Sequence, residues 1–121
     1  MPPTLAHTWN SHWQRAAQRG TYPFDGAPYE DAKRVMEKVV PLFDAGDRDA
    51  YTVEFTAAAA PHEARARELE AKGDTAGAKK EYIAAYGLYR MARFPCLNTP
   101  GKKAAYKKSQ DCVIKSRAFA S

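Results

Sequence analysis

Bulky apolar residues are scarce in this sequence of 121 residues. Leucine, isoleucine, valine and phenylalanine together occupy 17 of the 121 positions, whereas alanine alone occupies 23. Alanine favours helix but buries little apolar area, so the residues available for a core are few. Seven tyrosines, two tryptophans and a modest net charge of +5 argue against a disordered chain. We therefore expect a thin helical layer that a partner surface completes.

Targeting, membrane and disulfide signals are also missing. The N-terminal stretch MPPTLAHTWNSHW has no apolar run like that of a signal peptide, and no segment approaches the roughly 20 apolar residues of a membrane span. Two cysteines, Cys96 and Cys112, are too few for a disulfide framework, and both are expected to be reduced thiols. These features predict a cytoplasmic protein that makes no membrane contact.

Motifs for catalysis, metals and cofactors are absent as well. The sequence contains no G-x-S-x-G elbow, no glycine-rich phosphate loop and no H-E-x-x-H. No histidine or cysteine pair has metal-ligand spacing. Ser11 precedes His12, but adjacent residues of a helix point in different directions, so the two do not form a catalytic dyad. Glu68 and Glu70 are most simply explained as the solvated face of a helix. We therefore predict no catalytic residue, cofactor or metal ligand in these 121 residues, which make a poor candidate for a self-sufficient enzyme.

Turn-forming residues divide the sequence into about five helices, and no segment shows the alternation of a strand. The first helix is expected over residues 6–19, ending at Gly20, with Trp9 and Trp13 on one face. The predicted fold class is all-α, a small helical layer or bundle.

The second helix should follow the loop TYPFDGAP. Asp25 or Gly26 is expected to cap it, and Pro41 and Gly46 are expected to mark its end. Five apolar residues at helical spacing form its expected buried face: Ala32, Val35, Met36, Val39 and Val40.

A helical hairpin is predicted around Gly73. Its first arm should begin at Asp47 or Asp49, and Pro61 should kink or break that arm. Two residues are suited to capping the second arm: Asp74 and Thr75.

The last helix should begin with Thr99 at the N-cap and Pro100 in the first helical position, and run to about Ala118. This helix contains only one acidic residue, Asp111. Its basic residues are Lys102, Lys103, Lys107, Lys108, Lys115 and Arg117. We interpret them as a solvated face or one that meets an acidic surface. Because other basic residues are dispersed among acids and no binding motif accompanies these, no nucleic-acid partner is expected.

The helix after Gly73 carries the most informative pattern. At about 100° per residue, Tyr82, Tyr86 and Tyr89 fall within about 60° of one another. Arg93 lies in the same stripe and Arg90 beside it, whereas the remaining circumference is aliphatic or small. Tyrosine combines an apolar body with a hydroxyl tip, which suits a pocket wall or an interface. These five residues are our candidates for substrate binding or a domain interface; the alternative is the rim of an ordinary core.

Four patterns occur in order along the chain: Arg15-x4-Gly20-x4-Asp25, KGDTAGAKKEY, Tyr82-x2-Ala85-x3-Tyr89-x2-Ala92-x-Phe94 and PGKKAAYKKS. This order resembles the N-terminal helical region of α/β-hydrolases related to 2,6-dihydroxypseudooxynicotine hydrolase, the fermentation–respiration switch protein and fungal polyketide-shortening hydrolases. Two positions depart from the pattern of that family. Pro61 interrupts a helix that is usually continuous there, and Tyr51 stands where a tryptophan is common.

The resemblance implies that residues 1–121 are one helical domain, the N-terminal cap segment of a larger hydrolase. In that family the segment packs over a Ser-Asp/Glu-His catalytic domain, shapes the substrate cavity and contributes to dimer contacts. The implied partners are therefore the missing α/β-hydrolase domain, a small-molecule substrate reached through it, and a second copy. The implied reaction is ester or carbon–carbon bond hydrolysis, with the catalytic triad outside this chain.

A freestanding interaction module is the competing interpretation. The hairpin around Gly73 resembles a tetratricopeptide pair, although no 34-residue repeat is found and about three repeats are normally required. A reading frame that continues into a G-x-S-x-G domain favours the cap, whereas a sharply cooperative monomer favours the module.

Overall fold

The computed structural model describes residues 4–93 and 100–118, and throughout these residues the regular structure is helical, with no strand. The elements are α1 Leu5–Thr8, a π-helical turn Trp9–Trp13, α2 Gln14–Arg19, α3 Tyr29–Asp44, α4 Asp49–Ala71, α5 Thr75–Arg93 and α6 Pro100–Ala118. The predicted all-α fold class is confirmed. No helix within these ranges combines the length and apolarity needed to cross a membrane.

The N-terminal helical segment follows its prediction closely. Helix α1, the π-helical turn and α2 succeed one another without interruption and end at Gly20, whose φ of 68° is left-handed. Trp9 and Trp13 share a face, since both rings make edge contacts with Phe24, at centroid distances of 6.1 and 5.6 Å. Phe24 is fully buried, so this aromatic cluster attaches the loop of residues 20–28 to the first helices.

Helix α3 begins later than expected and ends just before Gly46 as predicted, although Pro41 does not stop it. The predicted cap at Asp25 or Gly26 is wrong, because Pro28 occupies the N-cap position and the helix starts at Tyr29. The helix passes through Pro41 and ends before Gly46. Four of the five residues of the predicted buried face are buried, and the fifth is half-buried: Ala32, Val35, Met36, Val39 and, half-buried, Val40.

Helix α4 is continuous across Pro61, so the predicted break is wrong. Proline removes the N–H that would bond the carbonyl of Ala57, one turn earlier. Both residues are exposed, so this carbonyl lies on the solvent side of the helix, where water can bond it. The rest of α4 is held by its packing against α3 and α5, which outweighs the local cost.

The predicted hairpin is confirmed as the pair α4 and α5, joined by residues 72–74. Gly73 adopts a left-handed φ of 82°, and Asp74 Oδ1 accepts a hydrogen bond from the Gly77 backbone N–H at 2.9 Å. Asp74 is thus the N-cap of α5. Helix α6 starts at Pro100 and ends at Ala118 as predicted, whereas Thr99 lies outside the described residues.

Helix α5 is central, because it packs along both α4 and α6. Alanines at seven-residue spacing are fully buried on both arms of the hairpin: Ala59 and Ala66 on α4, and Ala78, Ala85 and Ala92 on α5. Small side chains allow two helices to approach closely, so alanine contributes here through contact density. This explains how a chain with few bulky residues still builds a core around Phe24, Phe55 and Leu88.

A loop also packs on α5 from a third side. A Cβ built on Gly87 would lie 2.2 Å from the backbone nitrogen of Ala27 and 2.6 Å from the carbonyl carbon of Gly26. The loop backbone therefore rests directly on the helix at Gly87, where only glycine leaves room. This contact fixes the loop of residues 20–28 relative to the tyrosine-bearing helix.

Candidate functional site

The five candidate residues of α5 do not share one environment. Tyr82 and Tyr89 are each 1% exposed and belong to the interior between α4, α5 and α6. Tyr86, Arg90 and Arg93 are only partly buried. The polar-aromatic stripe is therefore divided into a buried pair of tyrosines and a more accessible set.

The two buried tyrosines donate hydrogen bonds to carboxylates of α4. Tyr82 Oη donates to Glu70 Oε1 at 2.8 Å, and Tyr89 Oη donates to Glu63 Oε1 at 2.7 Å. The prediction that Glu70 only lies on a solvated helix face is therefore wrong, because its carboxylate accepts a hydrogen bond from the hydroxyl of a buried tyrosine. We call these four residues the tyrosine–glutamate network.

Cations complete the network around Glu63. Arg67 Nη2 donates to Glu63 Oε2 at 3.1 Å, and Lys108 Nζ of α6 lies 3.6 Å from Glu63 Oε1. Burial alone would raise the pKa of Glu63, but hydrogen bonds from Tyr89 and Arg67 and the charge of Lys108 outweigh it, so the pKa is lowered. Glu63 is thus a stable carboxylate that ties α4 to α5 and α6.

The Tyr82 hydroxyl and the Cys112 thiol, two weak acids of this region, are held neutral. Burial and the hydrogen bond to Glu70 raise the pKa of Tyr82 to about 12. Burial, with the charge of Glu63 nearby, likewise raises the pKa of the Cys112 thiol to about 12. Cys112 is a free, buried thiol and is not a ready nucleophile, since the thiolate is the reactive form. Cys96 lies outside the described residues.

A shallow groove of about 240 Å³ opens onto this network between α4, α5 and α6. Charged and apolar groups line it together: Glu63, Arg67, Tyr82, Asp111, Cys112, Ile114 and Lys115. Two of these groups, Glu63 and Arg67, bond each other, and Tyr82 and Lys115 both contact Glu70.

The accessible part of the stripe meets the loop of residues 20–28. Arg90 Nη1 donates to Asp25 Oδ1 at 3.3 Å, and its guanidinium lies 5.5 Å from the centre of the Tyr22 ring. The Tyr86 ring lies against Gly26, where an added Cβ would touch it at 3.4 Å. Since Tyr86 and Arg90 are one turn apart, they are neighbours on the helix surface. We call Tyr22, Asp25, Tyr86 and Arg90 the α5 rim.

The α5 rim combines exposure with fixed position. Tyr22 is 63% exposed and the Asp25 side chain 50%, whereas the Arg90 side chain is only 22% exposed. Arg90 donates one hydrogen bond to a carboxylate and places its guanidinium over an aromatic ring, so its position on the rim is fixed from two sides. An aromatic ring, a guanidinium and a phenol on one rigid edge suit contact with another surface or a small ligand.

Arg93 lies at the C-terminal end of α5. Its guanidinium is 5.5 Å from the centre of the Tyr106 ring on α6. Its Nε and the Tyr51 hydroxyl are buried and make no hydrogen bond within the described part of the chain. Burial raises the pKa of Tyr51 well above its usual value, and the nearby charge of Arg93 opposes this only in part.

A polar cluster that the sequence did not reveal joins α3, α4 and α5. His62 Nδ1 lies 2.6 Å from Glu81 Oε2, and His62 Nε2 lies 2.8 Å from Asp31 Oδ2. The three residues are 31 and 19 positions apart, so no local spacing links them. We call them the His62 clamp. Among the described residues, no three histidine, cysteine or carboxylate side chains are arranged to hold a metal ion.

Comparison with known proteins adds no relative to this description. No known protein-family model matches the chain, and no curated protein is significantly similar to it. Any conclusion about function therefore depends on the residues themselves and on the geometry of the α5 rim.

Proposed function

We propose that this chain is the helical cap segment of a cytoplasmic serine α/β-hydrolase, in which the α5 rim forms part of the substrate-cavity wall or of the contact with the catalytic domain. The observation that carries the proposal is the placement of Tyr86 and Arg90. They extend the polar-aromatic stripe of α5 to the surface, where Tyr22 and Asp25 join them. The motif order of the sequence supports the same family.

The rigid support of the rim favours this role. Helix α5 is fixed by α4, by α6 and by the loop backbone at Gly87, so the rim cannot move far from its position. A wall that selects a substrate must hold its contacts within a fraction of an ångström to discriminate between ligands. The tyrosine–glutamate network beneath the rim adds charged hydrogen bonds that stabilise the same helix.

The chemistry of the rim fits selection of a substrate, and bond cleavage would belong to the partner domain. Phenol and guanidinium groups donate hydrogen bonds and stack on flat ligands, and Asp25 accepts them. A serine nucleophile in the catalytic domain would cleave an ester or a carbon–carbon bond in a small molecule. The cap would exclude water and orient that substrate. A second copy of the chain would contact it in a homodimer.

The first test is the complete reading frame that contains these residues, together with its neighbours. We expect a G-x-S-x-G sequence followed by Asp or Glu and then His. A stop codon directly after Ser121 with no hydrolase alongside would overturn the proposal.

The second test uses the complete protein and a series of p-nitrophenyl esters of increasing acyl length. We expect Tyr86→Ala to change the ratio of kcat/KM between short and long esters by about tenfold, which is about 1.4 kcal/mol of transition-state energy. Tyr29→Ala is the matched control, since Tyr29 is another half-buried tyrosine, on α3. Unchanged ratios with a large loss of stability would assign Tyr86 to the core and refute its role in the rim.

A second candidate function follows from the hairpin itself. Helices α4, α5 and α6 pack in succession, as consecutive helices of a tetratricopeptide array do. A freestanding protein-interaction module would use the same surface without a hydrolase. The reading frame separates the two, and so does the urea unfolding of the chain alone, because an independent module should unfold as a sharply cooperative monomer.

A further inference from the structure

The His62 clamp places one imidazole between two carboxylates from different helices. His62 projects from α4, Asp31 belongs to α3, and Glu81 belongs to α5. The three side chains are 24, 17 and 18% exposed, so water has limited access to them. The ring-to-oxygen distances of 2.6 and 2.8 Å are both those of strong hydrogen bonds.

Between two carboxylates, this geometry favours a proton on each ring nitrogen. A neutral imidazole carries only one N–H, so its other nitrogen would direct a lone pair at a carboxylate oxygen. The imidazolium form donates to Glu81 and Asp31 at once. Burial by itself lowers the pKa of His62, but the hydrogen bonds and charges of Glu81 and Asp31 outweigh burial, and the pKa is raised above 6.5.

Other charged groups around the clamp act more weakly. Asp31 Oδ1 accepts a hydrogen bond from Arg34 at 2.7 Å, and Glu81 Oε1 lies 3.7 Å from Arg65 Nε. These arginine side chains are 66 and 70% exposed, so solvent screens their charges. They offset part of the negative charge facing His62 without replacing its two hydrogen bonds.

We propose that the His62 clamp is a pH-dependent latch that ties α3 and α5 to α4 while the imidazole is protonated and loosens both contacts when the proton leaves. The inference stands independently of the hydrolase proposal. The loop of residues 20–28 is held separately by its contact with Gly87, so opening of the latch is expected to affect α3 itself.

The sign of the pH effect follows from linkage. The folded state binds the His62 proton more tightly than the unfolded chain, whose reference value is about 6.5. The contribution to stability is therefore complete below about pH 6.5, and is lost as the pH rises through the raised folded-state pKa. Deprotonation of His62 as the pH rises from neutral should therefore open the latch.

The direct test is a histidine NMR titration of the chain with ¹⁵N-labelled imidazoles. His62→Gln identifies the His62 signals by their disappearance; His7 and His12 supply the other two sets. We expect both His62 nitrogens to be protonated at pH 6, with a titration midpoint above 6.5. A midpoint at or below 6.5, or a neutral tautomer at pH 6, would overturn the proposal.

Glu81→Gln provides a variant in which the latch should no longer respond to pH. The introduced carboxamide can donate to Nδ1 while Nε2–H donates to Asp31, so a neutral His62 satisfies both neighbours. Between pH 6 and 9, the urea midpoint of the wild-type chain should fall relative to that of Glu81→Gln. Parallel pH profiles for the two proteins would show that His62 does not act as a latch.

Discussion

The contact between Gly87 and the loop of residues 20–28 permits the sharpest prediction of stability. In Gly87→Ala the new methyl group would lie 2.2 Å from Ala27 N, 2.6 Å from Gly26 C and 2.7 Å from Ala27 Cα. Ordinary van der Waals contact begins at 3.4 Å. All three opposing atoms belong to the backbone, so no side-chain rotation can relieve the overlap. The loop or the helix must move.

The expected loss is about 2 kcal/mol. Overpacking of a core typically costs about 1–3 kcal/mol, and an overlap with backbone belongs to the upper end of that range. Alanine recovers up to about 1 kcal/mol through its better helix propensity. For a chain of this length, the net loss corresponds to a fall in Tm of about 8 °C.

Urea unfolding followed by tryptophan fluorescence measures this loss. Trp9 and Trp13 both contact Phe24 in the same loop, so their emission should also report the displaced loop before unfolding. Gly101→Ala is the matched control, since its Cβ would meet only the Thr52 methyl group, at 3.5 Å. If Gly87→Ala is as stable as the wild type, the close approach of loop and helix is not real and the α5 rim loses its support.

Two further substitutions test the tyrosine–glutamate network and the hairpin. Tyr89→Phe keeps the ring but removes the donor to Glu63. It should lower the free energy of unfolding in urea by about 2 kcal/mol, because the lost hydrogen bond is buried and its acceptor is charged. A loss below about 0.5 kcal/mol would contradict this role. Asp74→Ala removes the N-cap of α5 and should lower the free energy of unfolding by about 1 kcal/mol. The loss is measured as a shift of the urea midpoint relative to the exposed control Glu68→Ala, and equal midpoints for the two variants would refute the cap.

Local chemistry in the sequence was sufficient to predict most helix ends. Gly20 and Gly73 adopt left-handed backbone conformations that glycine accepts readily, and they terminate helices as expected. Asp74 caps α5 because its side chain reaches a backbone N–H three residues ahead. Each of these interactions lies within a few residues, so the sequence contains all of its participants.

Long-range packing could not be predicted in the same way. Pro61 is tolerated inside α4 because one face of that helix is exposed, which depends on where α3 and α5 pack. The His62 clamp brings together residues from three helices, and its members have no sequence spacing in common. The ion pair of Glu63 with Arg67, one helical turn later, could be predicted from their spacing. The hydrogen bond from Tyr89 to Glu63 could not, because it joins the two arms of the folded hairpin.

The three tyrosines of α5 show how far a helical periodicity can specify a site. Periodicity places them in one stripe, but the positions of the helices that pack on α5 decide which of them is covered. Helix α6 and the carboxylates of α4 enclose Tyr82 and Tyr89, whose hydroxyls are already bonded. Tyr86, one turn from Arg90, remains at the edge. The α5 rim is thus the part of the stripe where a tyrosine and an arginine remain partly accessible side by side, so substitutions there should alter recognition while those at Tyr82 and Tyr89 alter stability.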